Sequence, residues 1–433
     1  MSKKNRFQVK VKFIVLALFT LQCTLLSIRT TAQVVNSPLS YLGLGELNDG
    51  SSITNQMMGG LGVANANGIY ANLINPALLA RNRYVVFEVG VNGEYKSMQN
   101  YRQKQNIFGG NYNSISLTLP LSSRWTGSLG LIPYSTVDYE TRSIRRLNLI
   151  GTDSLIYTYK GSGGINKAFW SNGYRVGKEI YLGLEIGYLF GAVNRNITSQ
   201  DLSDNQYYQV RLEDRTNYSD VSFKAGFVWR PKLKKDLFLN VAGTLDLTSN
   251  LKATRLKRYA IYGADGVTQI NADTINNMTS GKVKAPRTAR LGLSLERPSK
   301  WLVSADFSYT KWAAYTTLVD EPQVLKDSYK VAIGGEFTPD FNSISNYFKR
   351  VQYRIGASYA QTPYDFVNTG AVTKDMNITM GVSLPLRNLS YINVAYVFGK
   401  RGNLSDNKLE EQYHKFVIGF TLSDQWFQKV KIN

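Results

Sequence analysis

From Arg83 onward the chain alternates apolar and polar residues with a period of two. In the first such run Val85, Phe87, Val89 and Val91 point one way, and Glu88, Gly90, Asn92 and Glu94 the other. Leu237, Leu239, Val241, Leu245 and Leu247 face away from Asn240, Thr244 and Asp246. Val303, Ala305, Phe307 and Tyr309 oppose Ser304, Asp306, Ser308 and Thr310, and Ile392, Val394, Tyr396 and Phe398 oppose Asn393 and Ala395. This is the period of a strand with one greasy and one wet face. It predicts about fourteen strands, beginning near Arg83, Tyr112, Trp125, Leu155, Ile180, Tyr207, Asp236, Gly281, Lys300, Asp327, Val351, Lys374, Leu389 and Gln412.

Alternation alone fits a soluble sandwich as well as a membrane barrel, because either buries one face of each strand. The connections separate the two. Short ones (Leu121–Arg124, Arg230–Lys235, Arg297–Ser299, Arg387–Asn388) interleave with long polar ones (Tyr95–Asn111, Arg195–Gln206, Leu256–Ser280, Thr362–Thr373). Outer-membrane barrels have short periplasmic turns and longer external loops, whereas a sandwich gives no reason for one-sided asymmetry. Thr338–Arg350 is the exception, long on the side where turns are short. The expected fold class is therefore all-β, a closed antiparallel transmembrane β-barrel of about 14 strands, spanning residues 83–423 before a periplasmic tail at 424–433. With 28 Tyr, 19 Phe and 6 Trp, the chain can furnish aromatic girdles at both lipid interfaces.

Upstream of the strands the pattern changes. Residues 1–32 carry the basic start Lys3, Lys4, Arg6, Lys10 and Lys12, an apolar run from Phe13 to Ile28, and the small residues Thr30-Thr31-Ala32 before Gln33. That is a signal peptide rather than a membrane anchor, since no charged stop-transfer pattern follows the apolar run. Cys23 lies within it, and Gln22 is a poor fit to a lipoprotein cleavage site. The exported chain is thus expected to hold no disulfide and to reside in the bacterial outer membrane. Residues 33–82 are too rich in glycine and asparagine to bury themselves. Gly43, Gly45, Gly59 and Gly60 break regular structure before Asn75-Pro76-Ala77 fixes a turn. A polar segment feeding a half-apolar strand suits a plug, or hatch, threaded into the lumen. Its gate residues are expected to be Gly59, Gly60, Gly62, Asn75, Pro76 and Ala77.

Charge narrows the function classes. Without residues 1–32 the chain carries 45 basic and 31 acidic residues, a balance suited to facing anionic outer-membrane lipids. No basic helix or zinc spacing supports a nucleic-acid partner. The single histidine, His414, stands near the start of the last predicted strand, without a G-x-S-x-G elbow or an H-E-x-x-H pair. No enzyme, cofactor or metal is expected; an enzymatic reading requires His414 to face a serine. Glu88, Glu185, Asp246, Arg290, Asp306, Glu336 and Arg354 share the inward parity of their strands. A charge on the lipid face costs about 2–4 kcal/mol for Arg or Lys at the midplane. These seven either line a path for an amphipathic ligand or pair with one another across the lumen.

Gly62, Ala64 and Ala66, then Asn75, Pro76, Ala77 and Leu78, then Phe87 to Gly90 resemble the N-terminal hatch of the FadL-type outer-membrane fatty-acid transporters (OMPP1/FadL/TodX). Ser37 to Gly45, and Leu422 to Phe427 with its basic tail, resemble a divergent branch found in gliding and type IX-secreting bacteria. The resemblance spans the whole exported chain. It implies a fourteen-stranded barrel plugged by the hatch, passing hydrophobic or amphipathic small molecules, such as long-chain fatty acids, by diffusion. It also implies an apolar ligand pocket near the external loops. The branch includes partners of a type IX secretion pore, so the alternative it implies is a non-transporting barrel serving such a pore. The last strand, with Phe416, Ile418, Phe420 and Leu422, departs from the family by running into a basic tail.

Overall fold

A computed structural model describes residues 37–146, 154–201, 208–247, 250–263, 265–318, 325–365, 371–386 and 389–425. The expected signal peptide, the turn at 387–388 and the tail beyond 425 lie outside the described residues. The strands are β1 (Glu46–Leu47), β2 (Val85–Gln99), β3 (Lys104–Pro120), β4 (Trp125–Arg146), β5 (Ser154–Arg175), β6 (Ile180–Asp201), β7 (Gln209–Trp229), β8 (Lys232–Lys234) and β9 (Leu237–Asp246). They continue as β10 (Asn250–Tyr262), β11 (Gln269–Lys284), β12 (Arg287–Arg297), β13 (Trp301–Lys311), β14 (Ser328–Phe337), β15 (Gln352–Gln361), β16 (Lys374–Pro385), β17 (Tyr391–Asn403) and β18 (Leu409–Asp424).

These segments form a closed antiparallel barrel of fourteen strands. β1 and β8 are not wall strands. β9 and β10 follow one another along β7, and β12 and β11 along them in turn, so each of these pairs is one interrupted strand. The last strand closes on the first, Asp424 opposite Val85 and Glu410 opposite Gln99. Outward positions are apolar and exposed, as at Leu291, Leu293, Val303 and Phe307. Inward positions such as Glu88, Ser116, Asn240, Ser294 and Thr421 are polar and buried. Hydrocarbon outside and a polar bore inside explain both faces of the alternation.

Three expected long connections are strand instead. β2 runs to Gln99 and β3 begins at Lys104, β6 runs to Asp201, and Leu256–Ser280 is mostly the β10–β11 hairpin. Above the bilayer both faces of a strand meet water, so the ladder persists after the alternation that revealed it is gone. Cross-strand ion pairs hold it there instead: Arg258 Nε donates to Glu213 at 2.6 Å, and Arg255 pairs with Asp214. The long connection at Thr338–Arg350 is present and carries a short helix, Tyr347–Arg350.

One seam of the wall opens. β3 pairs with β4 only from Ile115–Leu131 to Pro120–Thr126, at the periplasmic end. Above that, Pro133 has no N–H to give the ladder, and the β4–β5 register slips between Pro133 and Ser135. Asn113 is buried and turns inward, its Nδ2 donating to Ser51 O at 3.4 Å. The upper halves of β3 and β4 part at this level.

Candidate functional site

The N-terminal segment lies against the inner wall in two halves of different construction. Residues 53–82 are almost wholly buried. Asn75 has extended backbone (φ −113°, ψ 106°), as a residue before proline prefers, and its Oδ1 accepts from Ala77 N at 3.0 Å to cap the 3-10 helix Pro76–Arg81. Its Nδ2 donates to Val63 O at 2.8 Å. The wall makes room by omitting side chains: a Cβ at Gly183 would stand 2.1 Å from Ala77 N, and one at Gly356 2.3 Å from Met58 C. Asp306 Oδ2 accepts from Gly62 N at 2.7 Å and Val63 N at 2.8 Å. Gly59, with φ +72°, donates its N–H to Thr379 Oγ1 at 2.7 Å, and Gly60 has φ +83°. Arg354 donates to Glu336 at 2.8 Å, and Glu336 also accepts from Asn67 at 3.1 Å.

Residues 37–48 climb to the outer end, where they take the place β3 has left. Glu46 and Leu47 pair with Thr136 and Ser135, and Asn48 N donates to Tyr134 O at 2.9 Å. Ser37 N donates to Asp138 O at 2.8 Å. Leu39 and Leu44 are buried in an apolar cluster with Val137, Tyr139, Leu189, Leu251, Trp312 and Tyr364. Burial pushes the Tyr364 phenol up, so it stays protonated, and its Oη donates to Gly45 O at 2.7 Å. The apolar side chains at this end are thus covered by the chain's own leucines.

Between the halves lies a cavity of about 440 Å³. Its walls are charged. Glu185 accepts from Lys167 at 2.6 Å and lies 3.5 Å from Lys224, Arg290 meets Asp246 at 2.9 Å, and Lys330 pairs with Asp49. The cavity reaches the parted seam, lined there by Gly110, Asn111 and Tyr112 of β3 and by Ile132, Pro133 and Tyr134 of β4. Tyr112 spans the seam, its Oη donating to Asn166 Oδ1 of β5 at 2.6 Å.

Of the seven charged candidates, Glu185, Asp246 and Arg290 line this cavity. Asp306, Glu336 and Arg354 instead meet the N-terminal segment or one another, and Glu88 is fully buried between Thr421 and Ser116 in register. The six expected gate residues lie together in the lower half. Lys96, Lys167, Lys224, Lys330, Arg401 and Lys415 were not singled out by the sequence, although inward parity marks each of them. His414 sits on the outward face, its Nδ1 2.7 Å from Tyr396 Oη and its ring beside Tyr95 and Phe398. Its partner is a tyrosine, not a serine.

The BamG family model matches residues 11–433 of this chain. No curated protein matches it. Among solved structures, the Pseudomonas putida toluene transporter TodX has 15% identity and a TM-score of 0.55, over 89% of this chain and 100% of its own. The Ralstonia pickettii toluene transporter TbuX has 13% identity and a TM-score of 0.55, over 86% of this chain and 98% of its own. A Pseudomonas aeruginosa FadL homologue has 13% identity and a TM-score of 0.54, over 89% and 100%. At such identities the likeness is one of fold, that of the FadL-type channels; together with the BamG family match, the barrel indicates a bacterial outer-membrane β-barrel.

Proposed function

This chain belongs to the BamG family, and from that membership and its FadL-type fold we propose that it is an outer-membrane channel for passive passage of hydrophobic or amphipathic small molecules, of the long-chain fatty-acid kind. The observation that carries the reading is the parting of β3 and β4 beside the cavity. A charged cavity repels an alkane, but it suits the polar head of an amphipath whose tail lies in hydrocarbon. A slit through the wall at cavity level lets head and tail each keep a matching solvent. The solute enters from the mouth as residues 37–48 give way and leaves sideways between Tyr112 and Pro133. The buried segment 53–82 stays in place as the hatch that keeps the periplasmic end shut. No energy input is needed, since the path runs down a concentration gradient.

The test is uptake of a pyrene-labelled fatty acid by vesicles with and without the purified barrel. Equal rates would refute the proposal.

The packing of residues 37–82 against the inner wall favours a second reading, a non-transporting barrel that serves as protein partner of a type IX secretion pore. That reading predicts co-purification with a large secretion barrel from native membranes, together with no uptake above empty vesicles.

A further inference from the structure

Five cations stand on the outside of the barrel with no ion-pair partner among the described residues: Lys252, Lys282, Lys284, Arg287 and Lys311. Their direction follows from parity. Leu251, Val283 and Ala285 are buried inward, so Lys252, Lys282 and Lys284 point out, and all three are exposed. Arg287 and Lys311 share a face with Leu291, Leu293, Val303 and Phe307, which are exposed toward lipid.

Their height follows from the β12–β13 ladder, which runs from Arg287 opposite Lys311 to Arg297 opposite Trp301 beside a periplasmic turn. Ten residue steps on a strand tilted about 40° rise about 25 Å, the thickness of the apolar band. Between the two ends the outward positions are Ala289, Leu291, Leu293 and Leu295 facing Tyr309, Phe307, Ala305 and Val303. Arg287 and Lys311 therefore sit where the outer leaflet meets water, and Lys284, then Lys252 and Lys282, follow above them along β11 and β10.

Their arrangement is unfavourable for an isolated barrel. Arg287 lies directly opposite Lys311, and Lys252 directly opposite Lys282, and like charges so placed repel. Among the described residues, the nearby carboxylates Asp220 and Asp327 have other partners. Asp220 accepts from the backbone N–H groups of Val221 at 2.7 Å and Lys252 at 3.0 Å. Asp327 accepts from Tyr309 and from Ala313 N, and despite its desolvation these bonds, with the charge of Lys311 beyond ion-pair distance, hold its carboxyl below the usual range. Inside the barrel the same strands neutralise their cations, as Arg290 does with Asp246.

We propose that this patch binds the phosphate-bearing headgroups of anionic lipids in the outer leaflet. The ligand must offer anionic charge beside hydrocarbon, because Arg287 and Lys311 directly overlie Leu291, Phe307 and Tyr309. A polyanion in water offers only the first. Guanidinium and ammonium groups suit phosphate oxygens, and each cation near an anionic surface is worth about fivefold in affinity. This proposal rests on the outer-membrane barrel fold and not on what, if anything, passes through it.

The purified barrel, titrated in detergent with bisphosphorylated lipid A and weighed by native mass spectrometry, tests it. Wild type is expected to retain the lipid, and more weakly at high salt. The five-residue variant K252Q/K282Q/K284Q/R287Q/K311Q should retain it at least about tenfold less, and R287Q/K311Q, a milder change if the first fails to fold, at least about fivefold less. K232Q/K234Q, at a periplasmic turn, should match wild type. Equal retention by R287Q/K311Q overturns the proposal, as does equal retention of dephosphorylated lipid A. Displacement of lipid A by equimolar inorganic phosphate would show an ion site in place of a lipid site, and would also overturn it.

Discussion

The two halves of the N-terminal segment meet the inner wall with different balances of polar and apolar contact. The lower half, residues 53–82, is tied to the wall atom by atom: Gly62 and Val63 to Asp306, Gly59 to Thr379, Asn67 to Glu336, with Tyr70 Oη to Gln352 Oε1 at 2.8 Å. The outer half, residues 37–48, borrows a strand edge at β4 and buries Leu39 and Leu44 among aromatics, with fewer side-chain ties to the wall: Ser37 Oγ to Glu411 at 2.7 Å, Arg195 to Gly43 O at 2.9 Å, Tyr364 to Gly45 O, and Arg401 to Glu46. Buried hydrogen bonds to a charged acceptor are directional, and breaking one strands its partner. Apolar packing has no direction, so another apolar group of suitable volume can replace it. On that difference we propose that the outer half, whose leucines can be replaced by another apolar group, is the part a solute displaces, while the lower half with its Asn75-Pro76-Ala77 turn stays.

A lock on the outer half has the largest expected effect. Leu47 and Ser135 are opposite one another in an antiparallel pair, where Cα atoms stand about 4.5–5.5 Å apart, within reach of a disulfide. The chain's only cysteine is Cys23. Oxidised L47C/S135C is expected to lose vesicle uptake of the labelled fatty acid altogether and to regain it on reduction. Undiminished uptake in the oxidised form would break the comparison at its first step.

Next in size is the anchor of the lower half. Asp306→Ala leaves the N–H groups of Gly62 and Val63 without their acceptor, at a cost of about 2–4 kcal/mol. Urea unfolding in vesicles should show that loss, with uptake close to wild type. A variant as stable as wild type would mean that the lower half is held by something other than its hydrogen bonds. Leu44→Ala tests the other side. Large-to-small changes at buried leucines cost about 2–5 kcal/mol, and a displaceable segment belongs at the low end of that range. The same change should speed uptake, because it loosens the group that occupies the mouth; slower uptake would contradict displacement.

How much of this was legible in the sequence depended on which solvent each residue meets. Where hydrocarbon lies outside, alternation marked the strands, and starts at Trp125, Ile180 and Lys374 are those of the structure. Where water lies on both sides, as along Lys257 to Asp273, the pattern carried no signal and strands looked like loop. The lower turn was legible because proline and asparagine have local conformational demands that Asn75 and Pro76 satisfy within a few residues. The outer half was not, since the burial of Leu39 and Leu44 depends on Trp312 and Tyr364, more than 250 residues away. Parity assigned the seven charged candidates to one face, but parity says nothing of height. Height divides Glu185, Asp246 and Arg290 at the cavity from Asp306, Glu336 and Arg354 at the lower segment. One signal for the open seam stood in plain view: Pro133 inside an alternating run, where a paired central strand tolerates no proline.

The smallest expected effect concerns that seam. Tyr112 reaches from β3 past β4 to Asn166 on β5, a hydrogen bond of 2.6 Å across a place with no ladder. Backbone pairing elsewhere in the wall is redundant, so losing one side-chain bond there changes little. At the seam this bond crosses between the parted strands at the level of Pro133, with Tyr112 lining the cavity behind it. Tyr112→Phe keeps the ring and removes the donor, at a cost of about 0.5–1.5 kcal/mol. If the seam is the exit, that change should leave global unfolding nearly as it was and raise the uptake rate a few-fold, in proportion to the lost bond. If solute instead leaves past the lower hatch, the rate should not respond to Tyr112 at all, and it should respond to Asp306→Ala. The two single variants together thus decide which half of the N-terminal segment the solute has to move.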